Sequence, residues 1–183
     1  MLELPGQAAL SSFRLAKLTR SLQRGDRRVA AVEARFAYFV ATNADLSEEA
    51  TKRLDALLLS GEKPLSFAKG MASLYVVPRP GTISPWSSKA TDIVRACGIG
   101  AVERVERGIC YGIRFTDGAE GEDALALSHL LVDRMTEAAF VDAQGVAALF
   151  EEHEPAPVGT IGLTQEGRAA LVAANTDLSL IHI

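Results

Sequence analysis

The 183-residue chain reads as an α+β fold: a mainly antiparallel sheet with helices on one face, followed by the start of a helical linker domain. Three observations predict this. Two long segments, 29–40 and 105–115, alternate apolar and polar residues with period two, the pattern of a strand buried on one face. Segments with apolar residues at helical spacing lie between the strands. The strands are half-polar and lack the continuous apolar runs of a buried parallel sheet, so one-faced antiparallel pairing is expected.

Residues 2–9 form a brief strand at most, because Pro5-Gly6 interrupts them. Ser11 or Ser12 caps a helix running to Gln23, with Leu15, Leu18 and Leu22 along one face, and Gly25-Asp26 ends it. From Val29 to Val40, the side chains of Val32, Ala34, Phe36, Tyr38 and Val40 point one way; Glu33 and Arg35 point the other. Asn43–Ser47 is a turn. Glu48-Glu49 suit the positive end of a helix that carries Leu54, Leu57 and Leu58 and stops at Ser60-Gly61. A linker through Pro64 and Gly70 leads into a strand over Ala72–Val77.

The stretch from Pro78 to Ile93 holds three prolines, Gly81, a cluster of hydroxyls and the only tryptophan, Trp86. Strand pairing should stop near Pro78, because proline has no backbone donor. Ser84 and Pro85 read as N-cap and first residue of a helix, with Ala90, Ile93, Val94 and Cys97 on its apolar face and Gly98 as its stop. The next strand places Val105, Ile109, Tyr111, Ile113 and Phe115 against Glu106, Gly108, Gly112 and Arg114, and Asp117-Gly118 closes it. A helix is expected from Asp123 to Phe140, with Leu127, Leu130, Leu131, Met135 and Ala138 at helical spacing. The two β-α-β halves, residues 1–62 and 70–140, read as ferredoxin-like (split βαβ) units without a visible sequence repeat between them.

Beyond Phe140 the character changes. Asp142–Phe150 is a short helix, residues 151–157 are an exposed acidic connection, and Thr164 caps a helix through Asn175. The expected division is an N-terminal domain over 1–141, the truncated start of a linker domain over 142–177, and a tail over 178–183. That tail matches the translation of a common transposase end, CTG-TCT-CTT-ATA-CAC-ATC, so an adapter origin is expected for it.

A net charge of −4 argues against a nucleic-acid surface. Cys97 and Cys110 have no CxxC spacing or nearby histidine partner, so a disulfide framework or metal site is not expected. No signal peptide and no membrane-spanning run are visible, which predicts a soluble cytoplasmic protein. There is no phosphate-cradling glycine loop, and His129, His153 and His182 share no motif with a nucleophile. No catalytic residue is assigned. The richest cluster is the helix start after Pro78. Thr82, Ser84, Ser87 and Ser88 surround free N–H groups between Arg79 and Lys89, a place for a phosphate or carboxylate. Plain helix capping explains the same residues.

Residues 79–93, Arg-Pro-Gly-Thr-Ile-Ser-Pro-Trp-Ser-Ser-Lys-Ala-Thr-Asp-Ile, resemble the N-terminal signature of the large, single-chain phosphoribosylformylglycinamidine synthase family. The resemblance implies a domain similar to a dimer of the small stand-alone synthase subunit. It implies a parent enzyme that converts formylglycinamide ribonucleotide, ATP and glutamine to formylglycinamidine ribonucleotide, ADP, phosphate and glutamate. ATP and magnesium would bind the parent's ligase domain, and a Cys-His-Glu glutaminase would release ammonia. None of those sites falls in this stretch of the family, so the fragment carries no cofactor and is expected to be inactive alone. Its implied partners are the ligase and glutaminase domains of the same chain. Arg79, Thr82, Ser84, Trp86, Ser87, Ser88, Lys89 and Asp92 are the residues expected to touch substrate or a neighbouring domain. Without the resemblance, the residues describe a stand-alone α+β module that binds a small ligand or pairs with itself through a sheet edge.

Overall fold

A computed structural model describes residues 1–151 and 159–177. The chain divides into two compact units, Met1–Glu152 and His153–Ile183. The first is built on five strands: β1 (Leu2–Ala8), β2 (Val29–Thr42), β3 (Ala72–Pro78), β4 (Val102–Phe115) and β5 (Glu137–Phe140). Their order in the sheet is β1-β2-β4-β3-β5, and every pairing is antiparallel.

The two long alternating segments are neighbours at the centre. Val32 lies opposite Ile113, Ala34 opposite Tyr111, Tyr38 opposite Arg107 and Val40 opposite Val105. Opposed residues share a face of the sheet, so this register gathers both apolar rows on one side. The halves β1-α1-β2-α2 and β3-α3-β4-α4 meet there. Their helices are α1 (Ser12–Gly25), α2 (Glu48–Leu59), α3 (Pro85–Ala96) and α4 (Gly121–Ala126). In each half the two strands are hydrogen-bonded neighbours.

The apolar face is covered in two patches. Leu15, Leu18 and the fully buried Leu22 of α1 pack with Val32, Leu74, Tyr111 and Ile113. Leu54 of α2 and Val94 of α3 pack with Val40, Val102 and Val105. Side chains this buried contribute about 2–5 kcal/mol each when truncated to alanine. Ser11 and Ser47 cap α1 and α2 by accepting the N–H of Arg14 and Ala50. α2 ends on Ser60, which adopts the left-handed conformation at φ 51°.

The opposite face of the sheet is also filled. Ala37, Phe39, Tyr75, Val77 and Cys110 lie against Phe67, Phe140, Val146 and Leu149. Residues 142–150, assigned from sequence to the linker, supply Val146 and Leu149 of this cover. Asp142 caps the short helix α5 (Ala143–Val146), a 3-10 turn follows over Ala147–Phe150, and Val146 and Leu149 are fully buried. Cys97 and Cys110 are free thiols, and burial pushes the Cys110 thiol up from its ordinary value.

The helix expected over Asp123–Phe140 does not form. α4 stops at Ala126, Ser128–Leu130 is a 3-10 turn, and Glu137–Phe140 is an edge strand. The unpaired edge of β3 decides this. Pairing Tyr75 with Phe140, Val76 with Ala139 and Val77 with Ala138 satisfies backbone groups that an edge would leave open. Asp133 makes the turn: its carboxylate accepts the Met135 N–H at 2.9 Å, and its carbonyl accepts Glu137 N–H at 2.8 Å. Met135, placed in the core by helical spacing, is 78% exposed.

In the second unit α6 (Leu163–Asp177) forms where a helix from Thr164 is expected, with a kink at Gly167. The tail at 178–183, and the acidic connection apart from Glu151, lie outside the described residues.

Candidate functional site

The stretch after β3 crosses the end of the sheet as a tight loop and enters α3. Its geometry begins with proline and glycine chemistry. Pro78 ends β3, the Arg79 N–H donates to the Thr136 carbonyl at 2.9 Å, and Gly81 turns at φ 79°, a conformation that a side chain would strain. The Thr82 hydroxyl donates to the Arg79 carbonyl at 2.6 Å. Ile83 then stands 63% exposed at the tip.

Ser84 is the N-cap and Pro85 the first helical residue. The Ser84 hydroxyl oxygen accepts the Ser87 N–H at 3.0 Å, and its carbonyl accepts the Ser88 N–H at 3.2 Å. Pro85 has no N–H, so Trp86 keeps the remaining donor of the first turn. The same serine donates its hydroxyl to Glu106 Oε2 at 3.0 Å and its N–H to Oε1 at 3.4 Å. Glu106 is fully buried. An internal carboxylate therefore lies at the start of α3, where the sequence left room for an external anion.

Arg104 holds that carboxylate. Its guanidinium lies 2.6 Å from Glu106 Oε1, donates to the Thr82 carbonyl at 2.7 Å and donates to the Leu149 carbonyl at 2.9 Å. It also covers the Phe150 ring. One cation thus ties β4, the exposed loop and the end of the α5 segment. Charge-assisted bonds of this kind are about twice as strong as neutral ones.

The other side of α3 is different. Trp86 stacks on Tyr38 with ring centroids 5.9 Å apart. The Arg107 guanidinium lies 4.7 Å from the Trp86 centroid and 4.7 Å from that of Phe36. The Tyr38 hydroxyl donates to Gln7 at 3.3 Å; burial raises its pKa, against the opposing pull of Arg107. A cavity of about 370 Å³ opens beside these rings, between α2 and α3.

The structure therefore separates the residues singled out from sequence. Arg79, Thr82 and Ser84 belong to the loop held by Arg104 and Glu106. Trp86 and Lys89 line the cavity. Ser87 is buried, with its hydroxyl unpartnered among the described residues, while Ser88 and Asp92 are exposed on α3. Sequence reasoning passed over Glu106, Arg104, Tyr38 and Arg107. Glu106 was placed on a polar face, and that face is in fact covered. Arg107 had a readable signal: it shares the odd register of Val105 and Ile109, so a charge falls in an apolar row. Thr91 was also missed; its hydroxyl accepts the Val105 N–H at 3.0 Å and pins α3 to β4.

Among the described residues no three His, Cys, Asp or Glu side chains come together as a metal site, and no helix is long and apolar enough to cross a membrane. Comparison with known families finds a match over residues 35–150, described as formylglycinamide ribonucleotide amidotransferase N-terminal. That span runs from β2 to the end of the α5 segment and takes in the loop, both of its anchors and the Trp86 cluster. The matched region covers more than half of the chain, which belongs to the family of N-terminal domains of the formylglycinamide ribonucleotide amidotransferases.

Proposed function

We propose that this domain serves the purine-biosynthesis amidotransferase as a docking brace, presenting the loop 79–84 to the ligase and glutaminase parts of the parent chain. The parent reaction under this reading consumes formylglycinamide ribonucleotide, ATP and glutamine and releases formylglycinamidine ribonucleotide, ADP, phosphate and glutamate. ATP and magnesium belong to the ligase domain, and ammonia comes from the glutaminase. This chain supplies no step of that chemistry alone.

The supporting observation is the contrast at the loop. Its tip exposes Ile83 at 63%, yet its backbone is fastened through Thr82 and Ser84 to the ion pair of Arg104 with the buried Glu106. Burying Glu106 costs several kcal/mol in desolvation. An exposed apolar residue on a fixed support is the geometry of a docking contact, because little ordering entropy is lost on binding. A substrate reading rests on Arg79 and Lys89, both exposed, with side chains that make no ion pair among the described residues.

The complete enzyme tests both. Under the docking reading, Ile83→Asp lowers glutamine-dependent turnover by about tenfold or more and leaves ammonia-dependent turnover within about twofold. Equal loss with both donors would sink it. Replacing Arg79 and Lys89 by alanine weakens ribonucleotide binding with ammonia as donor only if these cations reach the substrate.

A further inference from the structure

The cavity between α2 and α3 has a composition that docking does not explain. Its volume, about 370 Å³, lies in the range of small-molecule sites, roughly 300–1,000 Å³. Trp86 and Tyr38 give it aromatic wall, and Leu57 and Ile93 give it aliphatic wall. Lys89 and Arg107 are its two charged lining residues, and no Asp or Glu lines it.

Arg107 is the telling residue. The residue is half-buried, and its guanidinium lies over two rings, Phe36 and Trp86. It makes no hydrogen bond and no ion pair among the described residues, although a guanidinium carries five N–H donors. The other half-buried arginines of the unit, Arg28, Arg35 and Arg104, each have a carboxylate. Ring contacts hold Arg107 in place and leave its donors open. The exposed Glu62 is felt at Tyr38 but is not among the residues that line the cavity.

We propose that this cavity is a binding site for a ring-bearing organic anion: an aromatic or heteroaromatic ring joined, directly or through a sugar, to a carboxylate or a phosphate. The ring lies against Trp86 and the aliphatic wall, and the anion takes the donors of Arg107 with the Lys89 ammonium beside it. Arg107 fits the first role because a guanidinium pairs two oxygens at once. The site is independent of the docking role, which uses the opposite side of the α3 start.

Trp86 is the only tryptophan of the chain and lines the cavity, so the tryptophan fluorescence of the 183-residue protein comes from the cavity wall. The probes are AMP and nicotinate as ring-bearing anions, with adenosine and inorganic phosphate as controls lacking the anion or the ring. A saturable change with AMP or nicotinate is expected, with binding about tenfold or more weaker for adenosine and phosphate. A response to AMP alone assigns a phosphate ligand, and a response to nicotinate alone a carboxylate. Arg107→Met and Lys89→Met each weaken binding by about tenfold. Lys89 is exposed, so its variant folds even if Arg107→Met does not. No saturable change with either anion up to about 10 mM overturns the proposal. So does equal binding of AMP and adenosine, or affinity unchanged in Lys89→Met. The docking role would survive any of these results, because its test reads turnover of the complete enzyme.

Discussion

Glu106 has no exposed surface, and three bonds from Arg104 and Ser84 satisfy its carboxylate. Removing the cation leaves a buried charge without its partner, which costs about 3–5 kcal/mol. Arg104→Ala should therefore shift the urea midpoint by the equivalent of that loss. Replacing the pair together, Arg104→Met with Glu106→Leu, should restore much of it, because the desolvation penalty goes with the charges. A double variant no more stable than Arg104→Ala would show that packing, not charge, sets the cost. Gly108 makes a second residue-scale case. A Cβ there would lie 2.6 Å from Val77 Cγ1 and 2.7 Å from the Val76 carbonyl, whereas one at Gly100 meets nothing within 4 Å. Gly108→Ala should destabilise by about 1–3 kcal/mol, with Gly100→Ala as the unaffected control in the same urea series.

Two serine caps that look alike in sequence do different work in their elements. Ser47 accepts one N–H at the start of α2, so Ser47→Ala should cost about 1 kcal/mol. Ser84 caps α3 and also donates to Glu106. Ser84→Ala should cost roughly 2–3 kcal/mol, the cap plus a lost bond to a buried charge. Thermal or urea unfolding of the two variants side by side reads the difference; equal losses would mean that the Glu106 contact contributes nothing. The caps, the proline at the first position of α3 and the stop at Gly98 were all legible, because each acts within a few residues of itself. β5 was not. Met135 and Ala138 match a helical period, but the open edge of β3 gains more from a strand than the segment gains from a helix.

For the whole molecule, the cover on the second sheet face and a charge cluster at one end both join distant parts. Chains ending at residue 141 lose Val146 and Leu149, which cover Phe39, Tyr75 and Val77. Compared with a chain ending at residue 151, the shorter one should be less stable by roughly 3–6 kcal/mol, from two buried side chains at about 1.5–3 kcal/mol each. Equal urea midpoints would contradict that cover. Arg28 binds Asp26 at 2.8 Å, Asp117 at 3.1 Å and Asp123 at 2.7 Å. Its hydrogen bonds hold the Asp26 carboxyl below the ordinary value near 3.8; at Asp117 the Ala119 N–H leads and Arg28 adds to it. A depressed carboxylate contributes stability that is present above its unfolded value and lost as pH falls through the folded one. The stability gap between the native chain and Arg28→Ala should therefore be constant near neutral pH and close below about pH 4. A gap that persists at pH 2 would assign the effect to packing of Arg28 over Phe115.

The sequence by itself determined the α+β class, the two central strands, the apolar face they share and the start of α3. Periodicity and capping are local, and nothing elsewhere in the chain opposes them. The contiguous stretch 79–93 also carried the family. Only the tertiary structure decided that Glu106 is buried, that residues 137–140 form a strand and that the stretch divides into a fastened loop and a cavity wall. Each of these depends on partners far along the chain: Arg104 and Ser84 for Glu106, β3 for β5, and Tyr38 and Arg107 for Trp86. A polar residue in an alternating strand reads as solvent-facing until the second face is known to be covered, and that cover includes Val146 and Leu149 of residues 142–150.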